Sequence, residues 1–277
     1  NYGGLLQAFA IQKALKKYFN YSDVTTIDIY YGHSKLSKIK MFIKKVLKAV
    51  FFGYKKLKKN NLTEEDFQKV IINMTAFKNK YISLSSKRYT KANIRLLKNL
   101  NFDAYIVGSD QVWRPKYSPN ILSFFLDFVG DKTSKKISYA ASFGVDSLEY
   151  NNRLLKKCSK FLNDFDAISV REKGAINLCK NSFNVNDVKL VLDPTLLLEI
   201  DDYKNILNKE NLISTKQIMY YVLDEEFSKP EVEYEISNCL NMPLKKIMPQ
   251  PFVKEKDLKI SDKHIYPPVE EWLEGFI

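Results

Sequence analysis

The chain has little of what builds disulfide frameworks, metal sites or membrane spans. Of 277 residues, three are cysteine and two are histidine. Cys158, Cys179 and Cys239 are odd in number and show no Cys-x-x-Cys spacing, so they read as reduced thiols that serve packing. His33 and His264 lie far apart, with no second ligand at metal-binding spacing, so no metal site is expected. No apolar run approaches the roughly 18 residues of a membrane span. No signal peptide is recognisable, although the sequence does not begin with Met.

Acidic residues are missing from one place. Between Lys35 and Lys59 ten lysines stand without a single Asp or Glu. The formal net charge is +12, and removing this segment leaves 12 − 10 = +2 for everything else. The body of the protein is therefore nearly neutral, with one basic segment attached. That argues against a nucleic-acid-binding fold with a basic face built into it, and no Arg-rich, RNP-like or zinc-finger pattern supports such a fold. Leu36, Ile39, Phe42, Ile43, Val46, Leu47 and Val50 recur at helical spacing, with the lysines mostly opposite. The segment belongs to a helical insertion over about 35–80. It fits a peripheral contact with an anionic membrane, or a stripe packed on the body with solvated lysines.

What is present is an α/β rhythm. Hydrophobic residues make up 45% of the chain, enough for a large core or two domains. Asn1-Tyr-Gly-Gly4 predicts a glycine turn opening a helix over Leu5–Leu15, with no strand before it. Strands are predicted at Val24–Tyr30, Asp103–Val107, Lys135–Gly144, Ala167–Arg171 and Val188–Leu192. Helices fall at 63–80, 91–99, 153–164 and 173–180. Strands alternating with helices imply a mostly parallel sheet covered on both faces. Four strands in a row end in polar residues: Asp110, Ser142, Arg171 and Asp193. In such a sheet, ligands bind beyond the carboxyl ends of the strands, so these ends predict one cleft. Ser109, Asp110 and Gln111 follow the first of them directly. The same residues also fit a strand-end turn in which Asp110 caps a helix. After Leu198 a new start appears, with a strand at Gln217–Leu223, a helix at 230–239, a strand near 246–248 and a helix from Pro268.

Six motifs carry a resemblance. Asn1-Tyr-Gly-Gly-Leu-Leu-Gln-Ala-Phe-Ala10, Val107-Gly-Ser-Asp-Gln-Val-Trp-Arg-Pro115, Ile137-Ser-Tyr-Ala-Ala-Ser-Phe-Gly144, Ile168-Ser-Val-Arg-Glu172, Val191-Leu-Asp-Pro-Thr195 and Trp272 occur in that order. Together they resemble the polysaccharide pyruvyl transferase family across the whole chain. The resemblance implies a GT-B-like fold of two Rossmann-like lobes with the site between them. Residues 1–204 would form the N-terminal lobe with its basic insertion, and 205–277 the start of a C-terminal lobe. It implies phosphoenolpyruvate as donor, no other cofactor, and a lipid-linked or polymer glycan of the bacterial cell envelope as acceptor. Action would be cytoplasmic, at the inner face of the membrane. The family's Asp-Ser-Phe-His-Gly-type motif has no counterpart before Ile277. The chain is thus expected to be a fragment lacking both ends, and inactive by itself.

Phosphoenolpyruvate carries a carboxylate and a phosphate, and the planar fork of Arg suits both. Ketal formation needs a proton at the methylene carbon, attack by a sugar hydroxyl at C2 and loss of phosphate, hence an acid, a base and charge stabilisation. Arg171 is the candidate for donor binding, against a plain salt bridge to Glu172 or another acid. Asp110 is the candidate base, against a capping carboxylate. Asn1, Gly3 and Gly4 would offer helix amides to an anion or a hydroxyl. Ser109, Gln111, Ser142 and Gly144 are further candidates for substrate contact. Trp113 could stack on a sugar ring, or pack in the core. Asp193-Pro194 reads as a turn. A nucleotide-sugar glycosyltransferase shares the implied fold, and a non-catalytic membrane-associated protein of a glycan operon is the reading from another class.

Overall fold

The computed structural model describes residues 2–20, 23–30, 64–90, 92–131, 133–207, 216–221, 229–247 and 261–275. The basic segment 35–59 and Asn1 lie outside the described residues. The described chain is a mixed α/β fold, and every strand pairing in it is parallel. It divides into two compact units.

One unit contains residues 6–47 and 82–198. Its main sheet runs β3 (Ala104–Val107), β4 (Lys135–Ala141), β5 (Ala167–Val170), β6 (Lys189–Leu190), in chain order. Helices α4 (Asn152–Leu162) and α5 (Lys173–Phe183) supply the crossovers between the last three strands. In α5, Ala175, Leu178, Cys179 and Phe183 are buried, a 3–4 spacing that puts one stripe against the sheet. Asn151 caps α4, its side chain accepting from the Leu154 N–H at 2.9 Å. The core gathers Trp113, Phe125, Phe143, Tyr150 and Phe183 with Leu162, Val170, Cys158 and Cys179. Burial pushes both of these thiols up to about 12, so they stay protonated. Cys239, by contrast, is exposed.

The β4–β5 ladder is interrupted where its register shifts between Ser138 and Ala141. Two buried serines repair it. Ser138 Oγ accepts from Ser169 N at 3.0 Å and donates to Ser169 O at 3.1 Å. Ser169 Oγ accepts from Ala140 N at 3.2 Å and donates to Ser138 O at 2.9 Å. The hydroxyls thus supply partners to the backbone groups at the irregularity, as burial demands.

The other unit contains residues 1–5, 48–81 and 199–277. Helices α2 (Glu64–Val70) and α3 (Ile72–Tyr81) replace the single helix expected over 63–80, with a turn at Ile71. A short helix α6 (Ile200–Lys204) precedes β7 (Ile218–Tyr220), α7 (Pro230–Leu240), β8 (Leu244–Lys246) and α8 (Val269–Glu274). Tyr2 organises its packing. The Tyr2 ring stacks on Trp272 with centroids 5.3 Å apart, and its hydroxyl donates to Pro267 O at 2.8 Å.

Three expectations are corrected. The opening glycines are not a turn: α1 (Tyr2–Phe19) includes Gly3 and Gly4 in its first turn. Buried Tyr2 fixes the start of the helix. The strand over Val24–Tyr30 shrinks to a bridge at Thr26 and the two residues β1 (Ile29–Tyr30), which pair with β2 (Tyr89–Thr90). The strand over Val188–Leu192 shrinks to two residues at the sheet edge.

Candidate functional site

Four strand ends of the main sheet do meet. Beyond β3 the chain turns sharply at Gly108, which has φ 136°. A Cβ there would stand 1.9 Å from the backbone oxygen of Tyr139, so only glycine lets the loop lie against β4. The Asp110 carbonyl accepts from Ser142 N at 3.0 Å, and Trp113 N donates to Ser142 O at 3.1 Å. The loop is thus laced to the end of β4, and Asp110 is aimed toward the end of β5.

There it meets Arg171, whose guanidinium touches three carboxylates. Nε donates to Glu172 Oε1 at 2.8 Å, Nη1 lies 3.2 Å from Asp193 Oδ2, and Nη2 lies 3.4 Å from Asp110 Oδ1. The bond to Glu172 has the length of a charge-assisted pair, and the two at the fork's outer edge are longer. Burial opposes the charge on Arg171, but Glu172, Asp110 and Asp193 outweigh it and raise its pKa above the ordinary value. One cation among three carboxylates leaves the cluster with a formal charge of −2.

Asp193, placed at the cleft by its strand end but read as a turn rather than as chemistry, is the hub. It does cap a turn, since Oδ1 accepts from Thr195 N at 3.1 Å and Thr195 Oγ1 at 2.9 Å. Its other oxygen takes Gln7 Nε2 at 2.6 Å, Arg171 Nη1, and Ser109 Oγ at 3.4 Å. The phenol of Tyr139 has its pKa raised, first by burial and then by the charge of Asp193. The signal for Gln7 was a polar residue in the apolar first half of α1, between Leu6 and Phe9.

Beside the cluster lies a cleft of about 260 Å³, lined by Gln111, Gly144, Asp146, Arg171, Glu172 and Ala175 among others. This is slightly below the roughly 300–1,000 Å³ of small-molecule pockets. Gly144, at φ 69°, again makes room: a Cβ would come within 2.1 Å of Gln111 Oε1. Gly174 likewise admits Asp146, whose Oδ1 would be 1.8 Å from a Cβ at that position.

The remaining candidates divide. Ser109 joins the Asp193 hub and Gln111 lines the cleft. Ser142 is fully buried and its Oγ accepts from Gly144 N at 2.9 Å, so it shapes the loop rather than meeting a ligand. Trp113 is 0% exposed; its ring stacks on Phe125 and its Nε1 donates to Phe124 O at 3.0 Å. A sugar ring has no access to it, so the stacking role is corrected to packing. Gly3 and Gly4 are exposed in the first turn of α1, in the other compact unit. No group of His, Cys, Asp and Glu among the described residues could hold a metal ion. No described helix is long and apolar enough to cross a membrane.

Comparison with known proteins adds one finding. A profile of the polysaccharide pyruvyl transferase family matches residues 1–275. No curated protein and no solved structure shows significant similarity to the chain.

Proposed function

The chain belongs to the polysaccharide pyruvyl transferase family, and from that premise we propose that it moves the pyruvate group of phosphoenolpyruvate onto a cell-envelope polysaccharide, forming a ketal. The observation that carries the chemistry is the guanidinium of Arg171 with Asp110 and Asp193 on its outer edge, beside an open cleft. We read the two compact units as the Rossmann-like lobes of a GT-B-like fold.

In the reaction, C3 of the donor gains a proton and a sugar hydroxyl oxygen bonds to C2. The bond from C2 to the phosphate oxygen breaks, and a second hydroxyl oxygen closes the ketal at C2. Of the two hydroxyl protons, one balances the proton gained at C3 and the other leaves with phosphate. Arg171 takes the donor's carboxylate or phosphate on the fork edge that holds Asp110 and Asp193 at the longer distances. Glu172 keeps hold of Nε throughout. Taking up the donor releases Asp110, which then serves as base for the acceptor hydroxyl. The test is phosphate release from phosphoenolpyruvate that depends on a glycan acceptor. Turnover with nucleotide sugars and none with phosphoenolpyruvate would overturn the reading.

The segment Lys35–Lys59 we assign to an anionic membrane surface at the cytoplasmic face, where each lysine contributes about 1 kcal/mol of attraction. Salt-sensitive co-sedimentation with anionic vesicles, lost when Lys38, Lys44, Lys45 and Lys48 become Gln, is the expected result.

A further inference from the structure

We infer that the cleft beside Arg171 is a subsite for a neutral, hydroxylated sugar unit, selected against uronic acids, with Gln111 as the donor that recognises it. The inference rests on the pyruvyl-transfer reading and deepens it, naming the chemical class of acceptor at that site.

The argument starts from arginine, which has donors and no acceptor. Arg114 Nη1 stands 2.9 Å from the carboxamide of Gln111. The atom facing it must therefore be Oε1, and the orientation of the amide is fixed by chemistry. Arg114 itself is held by Glu149 through two bonds, Nε to Oε2 at 3.0 Å and Nη2 to Oε1 at 3.2 Å. Lys116 Nζ braces the same carboxylate at 2.6 Å. This chain of pairs leaves the two N–H groups on Gln111 Nε2 without a hydrogen bond among the described residues. Gln111 lines the cleft, so the pair is available to what enters it.

Glu172 lines the same cleft. Its Oε1 is taken by Arg171, while its Oε2 is buried with no hydrogen-bond partner among the described residues. An unpaired buried acceptor is costly and calls for a donor. One cleft thus presents a fixed donor pair and an unfilled acceptor. A sugar hydroxyl is both donor and acceptor, and neighbouring hydroxyls on one ring satisfy both sides. A carboxylate ligand satisfies the donor alone and opposes Glu172 and Asp146. The charge argument agrees. One arginine must serve an anionic donor already, and an anionic acceptor would compete for the same cation.

Binding is measured without donor, by saturation-transfer NMR with methyl hexopyranosides and the matching methyl uronates. The neutral hexosides should bind, and the uronates about tenfold more weakly, equivalent to about 1.4 kcal/mol. Glu172→Gln should narrow that gap. Gln111→Glu keeps the size and the pairing with Arg114 but removes the donors, so it should lose hexoside binding with an unchanged circular dichroism spectrum. Arg114→Lys, which touches no ligand, should weaken hexoside binding by letting the amide turn. Equal binding of uronate and hexoside, absence of hexoside binding, or undiminished binding by Gln111→Glu overturns the inference. Hexoside binding by a protein that fails to turn over phosphoenolpyruvate would sink the transfer reading alone.

Discussion

At the residue scale, Asp110 and Arg171 stand together although 61 positions separate them. Their meeting was legible because each follows an apolar run that reads as a strand, and parallel strands bring such ends to one edge. Their roles in different steps give a paired expectation. Arg171→Lys should raise the donor KM, because an ammonium cannot replace the planar fork that takes the donor's carboxylate or phosphate. Asp110→Asn should mainly lower kcat, because it removes the base. Steady-state kinetics checks both, and unchanged constants in both variants would mean the cluster is not the site. Trp113 was not legible, because a Trp after a polar loop looks the same whether it meets a ligand or the core. Its burial depends on Phe125, Phe143 and Phe165, brought to it by the fold. Nor could Asp193 be read as a hub, since its partners Gln7 and Arg171 lie 186 and 22 positions away. Glu149 offers a check through pH. Hydrogen bonds from Arg114 and Lys116 hold its pKa down from 4.5 to about 2. A carboxylate depressed in the folded state stabilises the fold above its unfolded pKa and loses that contribution as pH falls through the folded one. The stabilisation from Glu149 is therefore complete above about 4.5 and gone below about 2. The melting temperatures of wild type and Glu149→Gln should differ at neutral pH and converge as pH falls through that window.

At the scale of elements, periodicity located the helices and strands around the site to within a few residues. It located them because α4 and α5 each bury one stripe, β3 alternates buried and exposed residues, and β5 is a short run buried on both faces. The misses share a cause. A helix start where Tyr2 stacks on Trp272, and a break between α2 and α3 where Val70 O accepts from Tyr266 N, involve contacts distant in sequence. The register shift in β4 is another such feature, since the serines that accommodate it look like ordinary strand residues. Ser169→Ala would strip partners from Ala140 N and Ser138 O together. A loss of about 1–3 kcal/mol is expected from unsatisfied buried groups. Urea denaturation should show a lower midpoint with an unchanged slope. A midpoint equal to wild type would mean that the ladder closes without the hydroxyl.

At the scale of the molecule, the two compact units differ in how deeply their elements are buried. In the unit that carries Arg171, β5 has Ile168, Ser169 and Val170 buried, and α5 buries four residues. In the other, α7 buries none of its residues, and Val232, Tyr234, Ile236 and Leu240 are all exposed. Strands β7 and β8 are only half-buried along their length. Local opening costs least where few apolar contacts must be broken, so stability should not be uniform along the chain. Amides of α7, β7 and β8 should exchange with solvent well before those of β4, β5 and α5. Native-state hydrogen exchange, resolved by peptide mass, would read this directly. The expected pattern is two separate sets of protection, with the ladder behind Asp110 and Arg171 in the slow set. That ordering matters for the chemistry, because the long Nη contacts of Arg171 can exchange partners only if the strands beneath them hold still. Uniform protection over both units would show instead that they open as one cooperative body, and that the burial contrast carries no energetic weight.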